Sequence, residues 1–321
     1  MTLAKWHHSN RAQLADLLPE AIVVLPVGAT EQHGPHLATG TDWILADAVA
    51  QQAAALVHER SVRPIVFAPP MPFGASDHHL PFGGTLSLSP ETLLAVLLDL
   101  ARSLHADGGR RLVLVNGHGG NVGVCHAAAA AASTRYGVNV AHINYWELLP
   151  PQRPAAEPGA VEGGAVEAGA VEAGAVEPGA VEAGAAEPGA AEPGAVVEAG
   201  AAEAGAVVEA GAVEGGAVER RGAGGGVEGS GDVMVPGHAG RFETALMLAQ
   251  DEAFVAERKE RLDPPTGPAV DDVALHTAGS WQRIDGYTDR PDLADAANGR
   301  EWFDQLTAAL GDRLLELAEV L

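Results

Sequence analysis

Two stretches of the 321-residue chain concentrate groups that bind metals and move protons. The first, Thr30-Glu31-Gln32-His33-Gly34-Pro35-His36, leads to Asp42, and the second is Asn116-Gly117-His118-Gly119-Gly120-Asn121. Glu31 and His33 are two apart, so in an extended segment both side chains project from one side. Asp42, at a predicted helix start, can turn its carboxylate the same way, and the glycines around His118 let the backbone approach a ligand closely. Glu31, His33, Asp42 and His118 make a mixed carboxylate and imidazole set, suited to Zn or Mn and poor for a thiolate-type site. One carboxylate can bridge two ions, and a water shared between them gives hydroxide near neutral pH. Each residue alone has a plainer reading: Asp42 as a helix cap, His118 as a loop histidine bonded at the surface, Glu31 as a solvated charge.

Their order along the chain favours the set. Ala21–Val27 is an apolar run ending at Gly28 and reads as a buried strand, as do Arg63–Ala68, Arg111–Val115 and Val138–Tyr145. Helical patterns lie between them. One starts at Asp42 with Thr41 or Asp42 as its cap, one runs from Ser89-Pro90-Glu91 to about His105, and an Ala-rich one ends near Tyr136. Further on, a helix is expected from near Gly240 to about Arg261, followed by an irregular segment. A closing amphipathic helix runs from Ala294 to Leu321, with Gly299 and Gly311 as candidate breaks. Alternating strands and helices imply right-handed βαβ units and a three-layer α/β/α fold with a mostly parallel sheet. Ligands in such folds sit beyond the carboxyl ends of the strands, where both reactive loops fall.

Charge and composition limit the rest. Nineteen Lys and Arg against 43 Asp and Glu give −24, which excludes a nucleic-acid groove as partner. From 155 to 231 a unit Gly-Ala-Val-Glu-X repeats without an aromatic residue, and its 14 Glu against Arg220 and Arg221 carry half of the net charge. Ala and Val bury too little to offset chain entropy, so this tract is expected to be a disordered, low-complexity insertion. Residues 1–154 and 232–321 then form one α/β domain around it. Cys125 is the only cysteine, so no intrachain disulfide forms and a reducing compartment fits. With no signal-peptide pattern and no run long enough to span a bilayer, the expected location is the cytoplasm, with no membrane partner.

Four motifs resemble the creatininase (creatinine amidohydrolase) family: Val27-Gly-Ala-Thr-Glu-Gln-His-Gly-Pro-His-Leu37 with Asp42, Gly84-Thr-Leu-Ser-Leu88, Val115-Asn-Gly-His-Gly-Gly-Asn121, and His238-Ala-Gly-Arg-Phe-Glu-Thr244. The likeness covers essentially all of the chain outside the repeat tract. It implies an α/β/α fold, a centre of two divalent ions (Zn, Mn, or alternatively Fe) and hydrolysis of an unusual C–N amide bond in a small amide or short peptide. It also implies a homohexamer. By the same likeness Glu31 and His118 hold one ion, His33 the other, Asp42 bridges both, and His238 is the catalytic acid/base. Where true creatininases place a metal-binding Glu two residues after the loop histidine, this chain has Gly120. Glu243 is the candidate to replace it, as a ligand beside His238 in the catalytic group. His79, Trp146 and Gly119 are expected at the substrate site.

Two groups within the family also resemble this chain in lacking that Glu: peptidases that trim the mycofactocin precursor, and formamide hydrolases of flavin or deazaflavin biosynthesis. Arg241 resembles the peptidase-like members, whereas Gly286-Tyr-Thr-Asp-Arg-Pro-Asp292 resembles general ones. A reading of another class makes the chain a non-catalytic acidic scaffold with the Glu-rich tract as its working part.

Overall fold

The computed structural model describes residues 3–149, 237–260, 277 and 279–321. The repeat tract and most of the first half of the irregular segment expected after Arg261 (261–276 and 278) lie outside these residues. Five strands, β1 (Ala4–Lys5), β2 (Ile22–Val27), β3 (Ile65–Phe67), β4 (Arg111–Asn116) and β5 (Asn139–Asn144), form one sheet in the order β1-β3-β2-β4-β5. Every pairing is parallel. In β2, Ile22 and Val24 enter one core while Val23, Leu25 and Val27 enter the other. That period of two, apolar on both faces, is what a sheet covered on both sides requires.

Helices α2 (Thr41–Val57), α5 (Arg241–Gln250) and α7 (Ala296–Val320) pack on one face, and α1 (Arg11–Leu17), α3 (Pro90–Ala106) and α4 (Val122–Tyr136) on the other. The three-layer fold is therefore as expected. From β2 the chain passes through α2 to β3 on one side, then through α3 to β4 on the other. The direction of winding reverses at β2, and the crevice beyond the carboxyl ends of β2 and β4 is where such a fold takes its ligand. No helix among the described residues is long and apolar enough to cross a membrane.

Three local expectations need correction. Neither Thr41 nor Asp42 caps α2: Gly40 is the cap, Thr41 Oγ1 donates to Ala38 O at 2.7 Å, and Asp42 is buried facing two histidines. Helix α5 stops at Gln250 rather than Arg261, because Asp251 turns extended and its carboxylate accepts from Ala253 N at 2.9 Å. Helix α7 runs unbroken through Gly299 and Gly311.

Gly299 is a packing residue. A Cβ there would lie 1.8 Å from the carbonyl oxygen of Ala245 in α5. Alanine would gain about 1 kcal/mol in helix propensity, but a clash with backbone cannot relax by a rotamer change and overpacking costs about 1–3 kcal/mol. Gly299→Ala should lower stability in urea unfolding, and an unchanged or raised midpoint would show that α5 and α7 can part freely. β1 is only two residues long, and α1 is set by Asn10, whose side chain accepts from Ala12 N and Gln13 N. Neither carries enough apolar periodicity to be read from sequence.

Candidate metal centre

The loop after β4 is a scaffold before it is a ligand. Asn116 donates to His118 O and to Asn144 Oδ1, both at 2.9 Å, and accepts from His118 N. Asn121 donates to Gly28 O at 3.0 Å and accepts from Ala75 N at 2.9 Å, tying together the loops that follow β2, β3 and β4. Gly117 must be glycine, since a Cβ would stand 2.5 Å from Asp42 O. That close approach brings the first turn of α2, and with it Asp42, over the end of β4.

Hydrogen-bond chemistry fixes which imidazole nitrogens face the centre. A carbonyl oxygen only accepts, so a ring nitrogen paired with one carries the hydrogen. His33 Nδ1 donates to Glu31 O at 3.1 Å, leaving Nε2 at 2.9 Å from Asp42 Oδ1 and 3.9 Å from Glu243 Oε2. His118 Nε2 donates to Ala75 O at 3.2 Å, leaving Nδ1 at 3.0 Å from Asp42 Oδ2 and 3.2 Å from Glu31 Oε1. His238 Nε2 donates to Gln32 O at 2.8 Å, leaving Nδ1 at 3.3 Å from Glu31 Oε1. Each inward nitrogen thus turns a lone pair toward a carboxylate. Imidazole held by a carbonyl on its outer nitrogen is the usual preparation for metal binding.

The carboxylates agree. Glu31 Oε1 and Oε2 and Asp42 Oδ2 are buried, and among the described residues nothing satisfies them but imidazole nitrogens, those of His118 and His238 at 3.0–3.3 Å. Buried anionic oxygens without partners are costly unless a cation lies between them and the neighbouring lone pairs. The donor set therefore fits divalent ions. Two groups offer convergent donors around Asp42's opposite oxygens: His33, Asp42 and Glu243, and Glu31, His118 and the half-buried His78. A third, Glu31, His33 and His238, shares one residue with each of them.

Without ions, protons do part of this work. Burial alone would lower His33, but Asp42, with Glu243 and Glu31 behind it, overrides this and raises its pKa to about 10. His118 is raised likewise by Glu31 and Asp42 against its burial. Burial would raise Asp42, but His33 and His118 hold it well below the carboxylate range. Burial lifts Glu243 to about 8, with Asp42 adding and His33 opposing. His238 is held neutral by burial and by the neighbouring His33 and His79.

Glu243 sits where the sequence suggests, in the first turn of α5, its Oε2 accepting from Ala239 N at 2.6 Å. Ala239 takes the left-handed conformation with φ 51° to present that N–H and so joins His238 to Glu243. His79 is not a ligand. Gln32 Nε2 donates to its Nδ1 at 2.8 Å, so its hydrogen is on Nε2, 3.7 Å from Glu31 Oε1, and burial first of all lowers its pKa to about 2. Position 120 is closed to any side chain, because a Cβ would lie 2.3 Å from Ala75 O and 2.4 Å from His118 Nε2. A glutamate could not simply be restored there.

A cavity of about 930 Å³ opens over this centre, lined by Asp42, His118, His238, Glu243, Gly119 and Trp146 among others. Its roof was not foreseen. Trp281, on the short helix α6 (Ser280–Arg283), places its ring 4.6 Å from that of His79, 5.4 Å from His238 and 5.6 Å from His78. Nothing in the sequence marks Trp281. His78 and Gln32 did carry a signal, since each stands directly beside a residue already singled out.

Known proteins resemble this chain in sequence and fold. Residues 7–314 match the family model described as creatinine amidohydrolase. A mycofactocin precursor peptide peptidase of Mycobacterium tuberculosis (strain CDC 1551 / Oshkosh) is 47% identical over 120 residues, which cover 36% of this chain and 46% of that protein. A creatinine amidohydrolase of Pseudomonas putida is 36% identical over 101 residues, covering 31% of this chain and 38% of that protein. The matches thus span less than half the length of these relatives. A solved structure titled "Creatininase Mn" superposes over 98% of both chains with a TM-score of 0.63 at 20% identity, a likeness of fold.

Proposed function

Because the chain belongs to the creatinine amidohydrolase family, we propose that it is a metal-dependent amidohydrolase that cleaves a C–N amide bond. The observation that carries this reading is Asp42, buried with one oxygen 2.9 Å from His33 Nε2 and the other 3.0 Å from His118 Nδ1. We assign His33, Asp42 and Glu243 to one divalent ion, and Glu31, Asp42 and His118 to the other, with Zn or Mn best suited to this donor set. Such ions supply Lewis acidity for the amide carbonyl and lower the pKa of water.

The chain's own groups do the rest. His238 Nδ1, with its lone pair turned inward, takes the proton of the attacking water and delivers it to the leaving nitrogen. Its Nε2–H on Gln32 O keeps the ring in that tautomer. His79 Nε2–H points the same way, ready to donate to bound substrate, while Trp281 and Trp146 limit access of bulk water. Assembly into a homohexamer and a cytoplasmic location belong to the same reading.

For substrate we favour a short peptide over creatinine. The mycobacterial peptidase is the more similar of the two relatives, at 47% against 36% identity. A cavity of about 930 Å³ is also much larger than a five-membered ring needs. A purely structural acidic scaffold would not need two carboxylates buried among three imidazoles. The test is to give the full-length chain, loaded with Zn or Mn, a peptide ending in Val-Tyr, a formamide and creatinine in parallel. Turnover should be greatest on the peptide; turnover confined to creatinine would overturn the substrate assignment.

A further inference from the structure

The loop after β3, Ser76-Asp77-His78-His79, brings two adjacent histidines and an acid to the edge of the centre, and two of the three are already engaged. Asp77 Oδ1 accepts from Ser87 Oγ at 2.6 Å, and His79 Nδ1 accepts from Gln32. His78 is different. It is half-buried, lines the cavity, and lays its ring parallel to that of His118, with an interplanar angle of 8° and centroids 5.7 Å apart. One of its nitrogens, a carboxylate oxygen of Glu31 and a nitrogen of His118 all lie within 4.8 Å of one another. Donors about 2.0–2.2 Å from a zinc ion stand at most about 4.4 Å apart, so a small side-chain shift brings all three onto one ion.

We propose that His78 is an exchangeable ligand of the ion assigned to Glu31 and His118, bound when the cavity is empty and displaced when substrate enters. This rests on the two-ion reading above. The remaining donors for that ion, Glu31, Asp42 and His118, are fully buried and cannot leave. Asp42 and His118 also reach the cavity wall, but His78 is the one half-buried member of this group, beside Trp281, where an incoming carbonyl oxygen can take its place. Its neighbour His79 cannot serve instead, since its inward nitrogen carries hydrogen. A chain whose loop after β4 offers no carboxylate at position 120 thus draws a donor from the loop after β3.

Cobalt(II) is the probe. The metal-free, full-length protein is titrated with Co(II), for the unchanged sequence and for His78→Ala and His78→Cys. His78→Ala should weaken one of the two binding steps by about tenfold or more, the scale on which metal sites respond to loss of a supporting group. His78→Cys should show a near-ultraviolet sulfur-to-cobalt charge-transfer band that the parent lacks, because Cys125, the other cysteine, is buried among apolar residues in the opposite core. A structural role for residue 78 cannot create that band. Absence of the band from a folded His78→Cys that still takes up two cobalt ions, with His78→Ala binding as the parent does, would overturn the proposal and leave the two-ion centre standing. No cobalt uptake by the parent would instead overturn the centre, and this proposal with it.

Discussion

Asp42→Ala is expected to fold, to retain little Zn or Mn, and to lose activity on any substrate the parent hydrolyses. Asp42 offers one oxygen to each side of the centre, so on the two-ion proposal its loss removes a donor from both ions at once, and it leaves His33 and His118 without the anion they face. Taking one partner from a buried charged pair costs about 3–5 kcal/mol, and a loss of that size in metal binding is roughly 10²- to 10⁴-fold. The fold should survive because, among the described residues, the Asp42 side chain bonds only the two imidazoles, and α2 is capped at Gly40 and docked through Leu45, Val49 and Ala53. Metal content by elemental analysis beside circular dichroism decides the matter. An Asp42→Ala protein with full metal content and full turnover would remove the bridging role.

The second large effect falls on rate rather than on metal. His238→Gln should keep its ions and lose roughly 10²- to 10⁴-fold in kcat, the usual contribution of a positioned acid/base. Its inward Nδ1 is the neutral imidazole nitrogen in the centre whose ring bonds Gln32 O, and Gln cannot carry a proton from water to nitrogen at that point. A fall in kcat with unchanged metal content supports proton transfer. Loss of an ion would make His238 a ligand instead, and unchanged kcat would leave it without a catalytic role.

Much of this centre was legible in the sequence, and the reasons are physical. Glu31, His33, Asp42 and His118 fall in or just after loops that follow strands, and parallel α/β topology sends all such loops to one edge. The four do meet there. Glu243 was reachable because a helix starting near Gly240 points its first turn at the same edge. The end of α5 was not legible: the apolar pattern continues past Gln250, but the Asp251 carboxylate accepts from the backbone N–H of Ala253, a local competition that periodicity does not see. Glycine misled in α7, where Gly299 is demanded by close packing on Ala245 rather than by a turn. The cap of α2 was misread as well, since Gly40 rather than Thr41 or Asp42 takes that place. A helix-start aspartate is a cap by default, and here burial between two imidazoles took precedence. Trp281 could not be found at all, because its place over His79 and His238 depends on a tertiary return of the chain.

The most direct test is the ion-to-chain ratio of the full-length protein, equilibrated with Zn or Mn, freed of loose metal and measured by plasma mass spectrometry against protein concentration. Two ions per chain is the expected result, one on each oxygen of Asp42. A single ion would mean that Glu243 does not stand in for the carboxylate missing at Gly120, and none would contradict the metal centre altogether.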